Sequence, residues 1–408
     1  MLRLISSHTL DNRNSLITLW KLKTFLFSTC AANHTQAHNQ GREICDGQES
    51  IASTRIHVLG LGGIGKLIAH SLKGIPSSPP VTLVFHRPDL VDLWTQRGQK
   101  IVIKTGTNKH ARRGYETELV SSTALQQTPN NRIIHHLVVT TNAHATIPAI
   151  KAVKDRLRPE STILLIQTGM GLLEEINEKL FPDPETRPNY MLGVSTHVVF
   201  PLGGFQAFHT GFGTTALCML SKGPPTGYWA PTSRYLMSTL TRIPVLAAVG
   251  FPEAVLKQLQ LERLAVDAII NPLTLLFNCH NGDLLHNFAI SNVMDLLISE
   301  VSLILRSLPE LRDLPHIHKR FSPGRLRQLV LAVASTTSQN ISPMLRLARA
   351  GRETEIDYIN GYITKRAREL GLECGMNTMV IQMAKGKQQL LYRQREDYVA
   401  FQEADHGI

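Results

Sequence analysis

The chain has 408 residues, enough for two domains that each bury a core, and with 43% hydrophobic and 18% charged residues and a mean hydropathy of -0.05 it reads as globular. No uninterrupted apolar run approaches the roughly 20 residues of a membrane helix, so no membrane insertion is expected. The net charge of +11 suits an anionic partner, a dinucleotide phosphate or a nucleic acid, without choosing between them.

Residues 1–50 do not read as part of the fold. Arg3, Arg13, Lys21 and Lys23 lie among Leu, Ile, Phe, Ser and Thr, and Asp11 is the one acidic residue before Glu43. Such a segment forms a basic amphipathic helix, the physical basis of a mitochondrial presequence. A plain disordered extension, or a gene start placed too early, reads the same composition differently, and without import the protein is cytoplasmic. Lys21 and Lys23 interrupt the apolar part, which disfavours both a membrane span and a secretory signal.

From Arg55 the pattern changes. Ile56-His57-Val58-Leu59 is a short buried strand, and Gly60-Leu61-Gly62-Gly63-Ile64-Gly65 is a Gly-x-Gly-x-x-Gly turn leading into apolar residues at helical spacing. Strand, tight turn and helix start together present free backbone N-H groups and the positive end of a helix dipole to a dinucleotide pyrophosphate. The next strand, Val81-Thr82-Leu83-Val84-Phe85, ends in His86-Arg87. An acidic residue there would bond an NAD ribose, whereas Arg87 suits the 2'-phosphate of NADP, so NADPH is the expected cofactor.

Strands and helices alternate to about residue 235, as a doubly wound parallel sheet requires. Strands are expected at 100–104, 136–141, 161–166, 190–200 and 207–213, with short strands and loop over 105–132 and a helix over 146–157. Residues 221–233 read as a surface loop, and 244–252 as linker punctuation. Beyond it the periodicity is helical, through 256–276, 288–308, 325–339, 343–350, 355–370 and 377–403. The expected architecture is therefore α/β: a leader over 1–50, a Rossmann-type NADP-binding domain over 54–240, and an all-helical substrate and dimerisation domain over 250–408.

The five cysteines, Cys30, Cys45, Cys218, Cys279 and Cys374, form no Cys-x-x-Cys pair, and the histidines show no ligand spacing. This argues against a disulfide framework or metal site and for a reducing compartment. The helix over 260–271 reads as ending at Pro272, with Arg263, Asp267 and Asn271 at i, i+4 and i+8 as a polar stripe on an otherwise apolar surface. A stripe in such surroundings points into a cleft. Further along, Ser342 precedes Pro343 as a helix N-cap, and Thr354 with Asp357 reads as a capping-box-like pair, which leaves Glu355 without a structural explanation.

Four separated motifs now stand together: the glycine fingerprint, Gly169-Met170-Gly171 after a strand, Asn271-Pro272-Leu273-Thr274, and Gly351-Arg352-x-Thr354-Glu355-Ile356-Asp357-x-Ile359-Asn360-Gly361. In these the chain resembles the ketopantoate reductase (2-dehydropantoate 2-reductase) family, from about Ile56 to near the C-terminus, as a divergent fungal mitochondrial member. The resemblance implies NADPH as hydride donor, a small 2-keto acid as acceptor in pantothenate and coenzyme A biosynthesis, a homodimer, and an active site between the two domains. It matches Asn271 to an asparagine that touches substrate and Glu355 to a glutamate near the site.

Five positions depart from the family pattern. Arg263 stands where a lysine polarises the ketone and supplies its proton, and Asp267 stands where an asparagine is usual. Thr168 replaces the asparagine of Asn-Gly-Met-Gly at the cofactor, and Asn142 replaces a lysine. Pro343 replaces a serine, with Ser342 beside it as the substrate-side hydroxyl. Arginine keeps the charge but is a poor proton donor, and Asp267 can pair with it. Two readings follow: a reductase with Arg263 as electrophile, or a catalytically impaired relative that serves as a mitochondrial binding or translation-activating protein with RNA or translation-machinery partners.

Overall fold

The computed structural model describes residues 53–120, 132–222 and 229–404, with side chains through 395. The leader expected over 1–50, Cys30, Cys45, the end of the polar stretch before residue 132, residues 223–228 of the 221–233 loop and the side chains at the end of the last helix lie outside the described residues.

An eight-stranded sheet forms the first part. It is built from β1 (Ile56–Leu59), β2 (Val81–Phe85), β5 (Glu116–Leu119), β6 (His136–Val139), β7 (Thr162–Ile166), β8 (Asn189–Ser195), β11 (Thr215–Met219) and β12 (Ala248–Gly250). Their order is β12-β11-β8-β7-β6-β1-β2-β5, and every neighbouring pair is parallel except β8 with β11. The strand order reverses between β1 and β6, so their carboxyl ends open the crevice where a doubly wound sheet binds its ligand.

The apolar strands serve both faces of the sheet, as buried parallel strands do. Ile56, Val58, Val138 and Leu164 pack with Leu67, Ile68 and Leu72 of α1 (Gly63–Leu72), beside α2 (Pro88–Gln96). Leu59, Leu137, Val139, Ile163 and Leu165 pack on the opposite face with Ile150 of α3 (Ala143–Lys151) and Ile176 of α4 (Leu172–Lys179). On the α1 side, Leu236 and Leu240 come from α5 (Pro231–Thr241). A smaller sheet, β4-β3-β10-β9, joins β3 (Ile101–Thr105), β4 (Asn108–Arg112), β9 (Val198–Pro201) and β10 (Gln206–Gly211).

The second part surrounds one helix, α6 (Glu253–Phe277), which is buried continuously from Leu264 to Leu275. A helix covered on all sides must have neighbours all round. These are α7 (Phe288–Arg306), α9 (Pro323–Thr336), α10 (Pro343–Arg349) and α12 (Gly375–Ala404). The short α8 (Ile317–Arg320) and α11 (Asn360–Glu369) complete the set. By length and composition alone α7 would cross a membrane. Its Leu297, Val301 and Ile304 are fully buried in the helical core.

The α/β sheet followed by helices is as the sequence pattern implied, with four local corrections. The expected strand over 190–200 is two strands in different sheets, because the chain crosses from β8 to β9 at Thr196 and His197, where Thr196 N donates to Thr214 O. Strand β11 falls between the expected strand ending at 213 and the loop from 221, and β12 falls in the 244–252 linker; β12 is three residues long, too short for a period-2 signal. Pro272 does not end α6, which runs five residues further. Thr354 caps no helix: its hydroxyl is buried without a partner, and α11 begins only at Asn360 after a single turn over Ile356–Tyr358.

Candidate active site

The glycine turn has the geometry that a diphosphate needs. Gly60 sits at φ +97°, and a Cβ there would lie 2.6 Å from Thr141 N. Gly65 lies so close to the Gly60 carbonyl and the Thr140 hydroxyl that no side chain fits, and Thr140 Oγ1 in turn donates to Gly60 O at 2.6 Å. Gly62 is the N-cap of α1, no side chain caps that helix, and its first turn holds no acidic residue. Space around Gly62 is open to 4 Å. The free N-H groups and the dipole are thus unopposed, and the residues fit a nicotinamide dinucleotide. Leu61 and Ile64 of the same turn pack on the sheet core.

Arg87 lies two residues beyond β2 as the N-cap of α2, more than half exposed, 3.4 Å from Asp89. A pair so exposed is weak and leaves the guanidinium available to a phosphate. Thr168 follows β7 and lines a cavity of about 150 Å³ with Gln167, Gly169, Gly193, Lys257 and Gln260. Asn142 is the N-cap residue of α3 but makes no side-chain cap.

That cap comes from the helical part. Glu355 Oε1 accepts from Ala143 N, the first residue of α3, at 3.0 Å. Burial, chiefly, pushes the Glu355 carboxyl up to about 7; the Ala143 N-H opposes this, nearby Asp267 adds to it, and His144 and Arg263 pull it back. Two further contacts hold the parts together here: Met170 N donates to Tyr358 O at 2.9 Å, and His144 Nε2 bonds Thr354 O at 2.6 Å.

Arg263 Nε donates to Asp267 Oδ2 at 2.7 Å, the i,i+4 pair that the stripe suggested. Asp267 is buried while 38% of the Arg263 side chain is exposed, so the pair looks outward from α6. Asp267 raises the guanidinium pKa above its already high value, which keeps Arg263 charged and removes it as a proton source. Its Nη groups have no protein partner among the described residues and remain free to donate. Asn271 is 3% exposed, and its amide has no hydrogen bond to a described residue, an arrangement that a ligand satisfies.

Ser342 takes a different place from the one expected of a substrate-binding hydroxyl. Its Oγ accepts from Leu345 N at 3.1 Å as the N-cap of α10 and from Thr274 Oγ1 at 2.7 Å, so it braces α10 on the Asn271-Pro272-Leu273-Thr274 segment. The structure therefore brings Arg263, Asp267 and Glu355 together, leaves Asn271 one turn beyond Asp267 on the same stripe, and uses Ser342 as a support.

Sequence reasoning missed two groups. Arg346 on α10 lies with its guanidinium carbon 5.4 Å from the centre of the Phe200 ring. Its signal was a single basic residue in the apolar run Met344-Leu345-Arg346-Leu347-Ala348. Lys66 on α1 is buried, donates to Gln206 O at 3.2 Å, and is lowered by burial to about 8. No group of three or more His, Cys, Asp or Glu among the described residues is placed to hold a metal.

Comparison with known proteins agrees with this arrangement. Residues 56–222 match the family described as ketopantoate reductase PanE/ApbA, and residues 255–388 match its C-terminal part. The chain is 28% identical over 346 residues to the probable 2-dehydropantoate 2-reductase of Schizosaccharomyces pombe, covering 81% of this chain and 96% of that one. It is 34% identical over 252 residues to the 2-dehydropantoate 2-reductase of Salmonella typhimurium, covering 62% and 74%. Among solved structures, D-mandelate dehydrogenase with NADH and anilino(oxo)acetate shares the fold at a TM-score of 0.64 and 17% identity, covering 83% and 99%. With both family segments matched in order, and with a 34% identical relative covered over 74% of its length, the chain belongs to the ketopantoate reductase family.

Proposed function

We propose that the protein reduces a 2-keto acid with NADPH, ketopantoate to pantoate being the first candidate within coenzyme A biosynthesis. The observation that carries this reading is the meeting of two half-sites: an uncapped, acid-free glycine turn on the sheet, and the Arg263–Asp267–Glu355 group on the helices. The bound nicotinamide supplies the hydride. Everything else falls to the chain. Arg87 favours the phosphorylated cofactor, and Asn271 orients the acceptor. The Arg263 Nη groups oppose the negative charge that develops on the ketone oxygen. Glu355, raised by burial to about 7, is partly protonated near neutral pH, and its protonated form supplies the proton that Arg263 cannot give. The basic composition of residues 1–50 supports a mitochondrial setting for this activity.

The direct test is NADPH oxidation by the full-length protein with ketopantoate and other short 2-keto acids. Turnover with one of them is expected. Tight NADPH binding without turnover would favour the second reading, a catalytically impaired binding protein, for which the 2.7 Å pairing of Arg263 with Asp267 is the specific observation. Arg263→Lys separates the two. A lysine restores an acid at that position, and turnover rises if the site is otherwise intact; an unchanged baseline means that the rest of the site does not support the chemistry.

A further inference from the structure

Arg346 has no role in the scheme above, and its surroundings call for one. It lies in the second turn of α10, whose start is fixed by the Ser342 cap and the Thr274 hydroxyl. From there its side chain reaches to Phe200 of β9. The neighbouring Val199 packs so tightly on Gly63 that a side chain there would strike its carbonyl. Arg346 therefore bridges from the helical part to the strand that lies against the cofactor turn. The charge of Glu355 acts on Arg346 and on Arg263 alike, so both cations lie within electrostatic reach of the same carboxyl group. They differ in one respect. Arg263 is tied to Asp267, whereas the guanidinium of Arg346 makes no hydrogen bond or ion pair with a described residue and rests on the Phe200 ring.

A partly buried guanidinium over an aromatic face with its donors unused is built for an anion with two oxygens in one plane. Two such ligands share that chemistry, the diphosphate of the cofactor and the carboxylate of the acceptor. The diphosphate already has the open α1 N-terminus, and Arg87 is placed for the 2'-phosphate. The acceptor's carboxylate has no unpaired cation on the α6 stripe, because Asp267 holds Arg263. We propose that Arg346 binds the carboxylate of the 2-keto acid and so restricts the acceptor to acids over the corresponding esters and aldehydes. This assignment rests on the keto-acid reading.

Binding to the full-length protein loaded with NADP+, which cannot reduce the acceptor, tests it without depending on turnover. Ketopantoate and its methyl ester would be titrated by calorimetry into wild type, Arg346→Ala, Arg346→Lys and the control Arg349→Ala, whose exposed side chain bonds only Asn278 Oδ1. Loss of a charge-assisted bidentate contact weakens binding by roughly 10- to 100-fold. The expected result is a loss of that size for the acid in Arg346→Ala, little change for the ester, partial recovery in Arg346→Lys, and wild-type behaviour in Arg349→Ala. NADP+ affinity, expected to be unchanged, also reports that the variant is folded. Equal losses for acid and ester, or no loss for either, would overturn the assignment. A loss of NADP+ affinity with the acid unaffected would overturn it in favour of the diphosphate. A wild-type protein that binds no 2-keto acid with NADP+ in place would sink the keto-acid reading itself, an outcome separate from any effect of the variant.

Discussion

Glu355 concentrates the chemistry of the site in one side chain. Its carboxyl is 7% exposed, caps α3 through Ala143 N, and is raised by burial from 4.5 to about 7. The sign of the stability effect follows from which state holds the proton. Between about pH 4.5 and 7 the folded protein keeps a proton that the unfolded chain releases, so the stability contribution of this residue falls as pH rises through that window, by on the order of 3 kcal/mol. Glu355→Gln keeps the Ala143 N-H satisfied and removes the buried charge. The variant is therefore expected to melt higher than wild type at pH 8 and nearly with it at pH 5, as a thermal scan at the two values would show; equal shifts at both would mean that the carboxyl titrates normally. In turnover the protonated form is the useful one, so the rate falls above about pH 7. Glu355→Gln should lose about 10²- to 10⁴-fold and the alkaline limb with it.

The element that most clearly resisted sequence reading is α6, and the reason is a single proline. Pro272 has no N-H, so the carbonyl of Ala268 loses its helical donor, and the local rule is that such a helix kinks or stops. Here the Asn360 amide donates to Ala268 O at 2.9 Å and to Asn377 Oδ1 at 2.9 Å, so the freed carbonyl is paired from α11 and the helix continues. The partner is 92 residues away in sequence, a separation that no periodicity can reveal. This contact pairs Pro272 functionally with the distant Asn360. Asn360→Ala should cost about 1–3 kcal/mol, as an orphaned buried carbonyl does. Pro272→Ala restores a helical N-H to Ala268 O, so the cost of Asn360→Ala should shrink in that background. A urea-denaturation double-mutant cycle measures the coupling, and strict additivity would remove the explanation.

Motifs that depend on local chain geometry were legible in the same way as the strands were. The glycine turn, the Arg263–Asp267 pairing and the Ser342 cap all follow from spacing within one turn or one helix. The Thr354 cap failed because the chain there makes an isolated turn that presents Glu355 to α3, a demand of the tertiary contact. Arg346 was invisible for a related reason, since its meaning depends on Phe200, which another strand in another sheet supplies.

At the scale of the whole molecule, besides an apolar cluster of Ala216, Cys218 and Leu256, the sheet and the helices meet through specific contacts that include Ala143 with Glu355, Met170 with Tyr358, His144 with Thr354, and Arg346 over Phe200. Each of these specific contacts lies at the carboxyl ends of the strands or beside the glycine turn, where the ligand crevice opens. A cofactor that binds only the folded chain raises its melting temperature, and saturation at 100 times Kd corresponds to about 2.7 kcal/mol. NADPH should stabilise the wild type more than NADH does at equal concentration. Arg87→Ala should remove most of that difference by weakening NADPH alone; equal weakening of both cofactors would take away the argument for the 2'-phosphate.

The central claim is that the glycine turn and the Asn271 stripe form one reductase site. The most direct measurement is kcat/KM for NADPH-dependent reduction of ketopantoate by the full-length wild type and Asn271→Ala, beside NADPH titration of both. The account predicts measurable turnover in the wild type, at least about a tenfold loss in the variant from one missing buried hydrogen bond, and unchanged NADPH affinity. Tight NADPH binding by both proteins with no turnover of any 2-keto acid, or turnover indifferent to Asn271, would contradict it.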